Sequence, residues 1–249
     1  GAYPYSYIYQ LKTDGSQANS SLTDLENSNQ VLYKNQYVRI MSADGYTGGE
    51  TIALVYGGGQ SLTSNNIAKM WNLIVRNTVK NTSVSLFASN AIITDGTYGS
   101  GYTNYQYFVG QPKFSPDGSK LAFVLFEFEH PGDTPGRAIK KADIYVIKDW
   151  QSIANGTTGK ITGRTDSKLT KVTDGTTFCW NPSWSADGSI ITWSQVTSGT
   201  FDFRKFYNEP SQYAGSDIAA ELSNASFSTY MRSIASDGSA PYSAQSVST

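Results

Sequence analysis

The chain has 249 residues, of which 16% are charged, and a net charge of -1. That length allows one large all-β domain or two small ones. It excludes an electrostatic nucleic-acid binder, because there is no basic excess, and no apolar run approaches the roughly 18 residues that cross a bilayer. The 17 tyrosines and 23 glycines give the composition of a strand-and-turn protein, and 13% aromatic residues argue against disorder. The single cysteine, Cys179, rules out an intrachain disulfide and reads as a small buried apolar residue.

In chain order, "YIYQLKTDGS" from Tyr7 is a short β-rich run closing on a polar turn, followed by "SSLTDL". Next comes "VRIMSADGYTGGETIALVY", a strand, an Asp-Gly turn at Asp44-Gly45 and a second strand. "NLIVRNTVKN" from Asn72 is a further strand after the loop "GGGQSLTSNNIAKM". The hairpin then recurs as "PKFSPDGSKLAFVLF", turning at Asp117-Gly118. Pro116 presets φ, Asp117 bonds its own backbone and Gly118 accepts positive φ. Leu121 to Phe126 is apolar on both faces, which predicts a strand covered on both sides.

"DIYVIKDWQS" from Asp143 and "SKLTKVTDG" are the strands that follow this hairpin. A third hairpin, "PSWSADGSIITWSQ", turns at Asp187-Gly188. The three aspartates lie 73 and 70 residues apart. "SDIAAELSN" predicts a short helix capped by Ser216 or Asp217, with Ala219, Ala220 and Leu222 inside. "YMRSIASDGS" from Tyr230 closes the series.

Each repeat thus reads as four antiparallel strands, the blade of a β-propeller. "PKFSPDGSKLAFV … ADIYVIKD … SKLTKVTDG" and "NPSWSADGSIITWS" resemble the WD40-like repeats of TolB-type β-propellers. The resemblance is good from about Gly110 to Gln195 and weaker from Gln36 to Gly96, where Tyr-Val-Arg-Ile-Met replaces the usual Pro-x-Trp/Phe. The expected fold is all-β, a propeller of four-stranded blades, in one domain over residues 1–249. Blade parts are expected at about 1–30, 31–96, 97–175 and 176–249, some three and a half blades. Closed propellers have roughly four to eight blades. The expectation is therefore a piece of a larger ring, or closure by another chain or domain. The resemblance also implies a bacterial periplasmic, cell-surface or secreted location.

Several places offer chemistry. Glu127, Glu129, His130 and Asp133 in "FEFEHPGD" pair carboxylates with the only histidine, a pattern that suits calcium or a transition metal and equally suits a solvated loop. Asp44 and Glu50 flank a Gly-rich stretch, without EF-hand spacing, and read as turn geometry. No P-loop, Gly-x-Ser-x-Gly or Cys-x-x-Cys-His motif is present. No cofactor is expected beyond that calcium reading.

"TFDFRKFYNEPSQY" gathers Phe201, Phe203, Arg204, Phe206 and Tyr207, either a self-packed loop or a recognition patch for a peptide or sugar. Phe178, Trp180, Asn181 and Trp184 fall on a first strand, which in a propeller approaches the central channel, and read equally well as core. Asn19, Asn81, Asn155 and Asn224 stand in glycosylation sequons that arise by chance in a chain rich in Ser, Thr and Asn. The expectation is a non-enzymatic binding or scaffold propeller that holds a protein partner or ligand on one ring face through long loops. The alternatives are the propeller part of a larger prolyl-oligopeptidase-like hydrolase and a carbohydrate-binding propeller.

Overall fold

The computed structural model describes residues 6–9, 31–35, 38–46, 50–58, 72–88, 107–128, 139–201 and 215–247. Within them the chain is all-β, with three antiparallel four-stranded sheets and two short helices. β1 (Ser6–Tyr9) and β2 (Val31–Asn35) form a separate two-stranded pair. The first blade is β3 (Val38–Tyr46), β4 (Thr51–Gly58), β5 (Asn72–Asn77) and β6 (Thr82–Ser85), hydrogen-bonded in that order. The second is β7 (Tyr107–Phe114), β8 (Leu121–Phe128), β9 (Ile139–Ile147) and β10 (Leu169–Lys171). The third is β11 (Cys179–Trp184), β12 (Ile190–Gly199), β13 (Ala225–Ser233) and β14 (Gln245–Ser246). Each sheet is a simple up-and-down meander, and the first strands β3, β7 and β11 lie beside one another.

The second blade is the middle of the stack. Residues Leu121 to Phe126 on β8 and Ala142 to Ile147 on β9 are buried on both faces, apart from the ion-paired Asp143 being polar. Phe123 faces the first blade, edge-on to Phe87 at 5.6 Å, and stacks on Tyr145 of its own sheet at 5.7 Å. Phe126 faces the other way and meets Phe178 at 6.1 Å. Strand alternation therefore sets Ala122, Val124 and Phe126 toward the third blade. Each such buried aromatic or aliphatic side chain stabilises by about 1.5–3 kcal/mol relative to exposure.

Both strong hairpin signals form the turns that their residues dictate. Gly118 and Gly188 each sit at φ +68°, a conformation costly for residues with a Cβ. The first copy differs. Asp44 and Gly45 lie inside β3, paired with Ala53 and Ile52, and the hairpin reverses between Tyr46 and Thr51. The reason lies outside the hairpin: the Asp44 carboxylate accepts Phe114 N at 2.8 Å and pairs with Lys113 Nζ at 3.0 Å, both on the next blade.

The helices also follow local rules. α1 (Trp150–Ala154) is capped by Asp149, whose Oδ1 accepts Ser152 N at 3.0 Å, and it buries Trp150 and Ile153. α2 (Gly215–Ser223) forms where the sequence predicts a helix, but Ser216 and Asp217 are inside it rather than capping it. Ala219, Ala220 and Leu222 lie inside it as expected, and among residues 219–223 Glu221 is the buried one while Ala219, Ala220 and Leu222 are exposed. In so short a helix, packing against β13 decides the buried face, not hydrophobic count.

Candidate functional site

The blades have two chemically different ends. At one end stand the Asp-Gly turns, which are rigid. Ser115 Oγ donates to Asp117 Oδ1 at 2.6 Å, Ser119 N donates to the same oxygen at 3.0 Å, and Ser119 Oγ donates to Oδ2 at 2.7 Å. Ser185, Asp187 and Ser189 repeat the pattern. A third example closes the loop after β13, where Asp237 Oδ1 accepts Ser239 N at 2.8 Å. The serine hydroxyls hold Asp117 and Asp187 at a pKa of about 2, well below the usual carboxylate range, and Asp237 is lowered for the same reason.

These turns also fasten blade to blade. Tyr46 Oη donates to Asp117 O at 2.8 Å, and its ring lies over Gly118 where a Cβ would stand. Gly118 O accepts Trp150 Nε1 at 2.8 Å and Gln151 Nε2 at 2.7 Å. Pro116 of the second blade packs on Gly188 of the third. Arg232 on β13 donates to Val172 O at 2.6 Å beyond β10 and to Ala240 O at 3.0 Å in its own blade. Tyr46, Pro116 and Arg232 thus join neighbouring blades, and the remaining bonds fix the turns within each blade.

On the inner strands, bulges repeat. Gln111 and Pro112 stand opposite Phe123, and Asn181 and Pro182 stand opposite Trp193. Gln111 has φ +46° and Asn181 φ +56°, and Gln111 Oε1 accepts Asn181 N at 2.7 Å across the two blades. Sequence reasoning missed Gln111 and Arg232 and took Asp44 for a turn residue. The one legible signal was a Gln-Pro and an Asn-Pro pair seventy residues apart.

The other end carries the connections from second to third strand of each blade. These are residues 59–71 between β4 and β5, 129–138 between β8 and β9, and 200–224 between β12 and β13. The strands are antiparallel and the first-to-second-strand hairpins of the three blades meet, Tyr46 on Asp117 and Pro116 on Gly188, so all three second-to-third-strand connections belong to the opposite end. Typical hairpin loops run roughly 2–5 residues, so all three are long.

Among the sequence-derived candidates, Glu129, His130 and Asp133 lie outside the described residues, as do Phe203, Arg204, Phe206 and Tyr207. Glu127 is described and pairs with Lys141 Nζ at 3.5 Å. Phe201 is 4% exposed and packs against Phe178 at 5.3 Å, Trp180 at 5.4 Å and Phe227 at 5.1 Å. Trp180 is half-buried in that cluster, and Trp184 donates Nε1–H to Lys113 O at 3.1 Å. Phe201, Trp180 and Trp184 thus contribute to packing between strands and blades. Cys179 is fully buried, and burial pushes its thiol up to about 12, so it stays protonated at neutral pH. Among the described residues no three His, Cys, Asp or Glu side chains gather as a metal site, and Asp44 turns both oxygens to the next blade. No helix of the described residues is long and apolar enough to cross a membrane.

No protein-family model and no curated protein sequence matches the chain. Solved structures do. The chain is similar to the tricorn protease, with 9% identity, TM-score 0.39, and coverage of 79% of this chain and 14% of that one. It is similar to a puromycin-hydrolyzing peptidase of Mycobacterium tuberculosis, with 11% identity, TM-score 0.45, and coverage of 87% and 27%. The acylaminoacyl peptidase of Pyrococcus horikoshii gives 13% identity, TM-score 0.41, and coverage of 84% and 25%. The chain therefore spans about a quarter or less of each. These neighbours are peptidases, and the sequence-based expectation of a non-enzymatic protein is corrected accordingly. The three four-stranded antiparallel meanders, standing blade against blade, make the fold of the β-propeller type.

Proposed function

We propose that the chain is a propeller module that works by binding, holding a protein partner or ligand at the end of the blades where the long connections emerge. The observation that carries this reading is topological: the long second-to-third-strand connections of all three blades share one end, opposite the internally bonded Asp-Gly turns and the helix-bearing connection 148–168 that is hydrogen-bonded to them. Long variable loops on a rigid β scaffold are a common location for recognition. By sequence, Glu129, His130, Asp133, Phe203, Arg204, Phe206 and Tyr207 belong to two of these connections and bring charged and aromatic residue types to them. Such a module serves equally a stand-alone binding protein and a larger hydrolase that carries it. The Ser-Pro-Asp-Gly and Ser-Ala-Asp-Gly turns support assignment to the TolB-type repeats, and with it a periplasmic, cell-surface or secreted location in a bacterium.

The test is capture from a bacterial envelope extract on three immobilised proteins. These are the parent chain, a variant with residues 129–138 replaced by a two-residue Asn-Gly turn, and a Val79→Ala/Lys80→Ala variant at the opposite end. The reading predicts that one species is retained by the parent and the far-end variant, and that retention falls at least tenfold in the loop variant. Equal retention by all three would overturn it.

A further inference from the structure

Asn155 is the only asparagine in the chain that is followed by glycine. It caps the C-terminal end of α1, at φ -88° and ψ -1°, and both it and Gly156 are exposed. Its side-chain Oδ1 accepts Thr157 N at 3.0 Å and Thr157 Oγ1 at 2.6 Å. Two donors on one carbonyl oxygen draw electrons away from Cγ. They also stand where negative charge would gather if Cγ were attacked. The nucleophile next along the chain is the main-chain nitrogen of Gly156. At φ +80°, a Cβ on Gly156 would meet no atom within 4 Å, so nothing shields that nitrogen. Its N–H is held by Ile153 O at 3.2 Å, a long bond at a helix end, where fraying is expected.

We infer that Asn155 is a site of self-modification, where the chain loses ammonia and converts the asparagine to aspartate or isoaspartate. Fraying turns Asn155 ψ toward extended values and frees the Gly156 N–H. Solvent base takes that proton, and the nitrogen forms a bond to Cγ. The Cγ–Oδ1 π electrons move onto Oδ1, where the Thr157 N–H and Oγ1–H receive the charge. The adduct collapses, the Cγ–Nδ2 bond breaks, and Nδ2 leaves as ammonia with a proton from water. The cyclic imide that remains adds water at either carbonyl and reopens. Ammonia is lost, water is gained, and nothing is oxidised or reduced.

The Asp-Gly turns make the contrast. Asp117-Gly118, Asp187-Gly188 and Asp237-Gly238 have the same short side chain before a glycine of positive φ. Their glycine N–H groups are held more closely, at 2.8, 2.9 and 2.9 Å. Their serine partners keep the carboxylates ionised, and an ionised carboxylate lacks a leaving group and repels an approaching nitrogen anion. Asn181 is followed by Pro182, which has no N–H to give up.

The product acts on the fold. It adds a negative charge beside the last carbonyls of α1, which already carry negative potential. An isoaspartate also lengthens the main chain just before Thr158, whose N donates to Ser152 O at 2.9 Å. α1 carries Trp150 and Gln151, which brace Gly118 O, so the modification loosens that brace.

The test is incubation of the intact chain in mildly alkaline buffer, followed by tryptic peptide mapping. The peptide from Asp149 to Lys160 has Asn155 as its sole asparagine. It should gain about 1 Da and split into aspartyl and isoaspartyl forms. Peptides with Asn77, Asn81 and Asn224 should lag about tenfold or more, since their following residues carry a Cβ. Thr157→Val removes one donor and should slow the reaction about threefold or more. An unchanged mass at Asn155, under conditions that convert the free peptide Asp149 to Lys160, overturns the inference. So does an equal or faster reaction in Thr157→Val, which would mean that the two bonds lock the amide and do not activate it. Amide exchange in α1 should quicken severalfold in the aged chain, and unchanged exchange would overturn the loosening of the brace. None of these outcomes bears on the loop-end binding reading, which involves other residues.

Discussion

Asp117 and Asp187 show how one residue type sets a turn and a pH response together. Each carboxylate accepts two hydroxyls and a main-chain N–H, and these bonds hold its folded pKa at about 2, below the ordinary value near 3.9. A group with a depressed folded pKa contributes stability that is fully present above its unfolded pKa and is lost as pH falls through the folded one. The melting temperature should therefore be flat above about pH 4 and fall between about pH 4 and pH 2. An Asp117→Asn/Asp187→Asn variant should melt lower at neutral pH and lose part of that slope, which a pH series of thermal melts reads directly. Gly118 makes a second residue-scale prediction. At φ +68°, with the Tyr46 ring where a Cβ would be, Gly118→Ala should lose about 2–4 kcal/mol in denaturant unfolding. A loss under 1 kcal/mol would show that Tyr46 moves aside freely.

Among the elements, what the sequence discloses depends on how far each residue's partners lie along the chain. Turns at Asp117-Gly118 and Asp187-Gly188 were legible because their partners are two residues away. The apolar character of Leu121 to Phe126 likewise announced a strand covered on both faces, and its neighbours Phe87 and Phe178 do cover it. Asp44 was misread because its partners, Lys113 and Phe114, are about seventy residues on, and no local signal separates a turn Asp from one reaching to another blade. Helix α2 was legible as a helix but not by its buried face, since β13 chooses which side faces inward. The aromatic candidates Phe201, Trp180 and Trp184 could not be sorted by composition, because packing and recognition use the same side chains. Asp44→Ala should cost about 1–3 kcal/mol by leaving Phe114 N without its acceptor. It should do so with little change to the hairpin β3–β4 itself, which amide exchange resolves. Faster exchange in β3–β4 than at β7 would contradict that assignment.

At the scale of the molecule, three four-stranded sheets stand face to face, with the second between its neighbours. Cross-blade bonds concentrate at the Asp-Gly end, and the second-to-third-strand connections occupy the other. That division of labour is the physical basis for the binding function proposed above: one end fixes the stack and leaves the other free to vary. It rests on the second blade being enclosed on both sides. The most direct measurement is native-state hydrogen exchange read segment by segment. The account predicts the slowest amides in β8 and β9, with β13 and β14 exchanging markedly faster. If β8 and β9 exchange as fast as β13 and β14, the sheets are not stacked with the second blade at the centre, and the loop-end reading loses its scaffold.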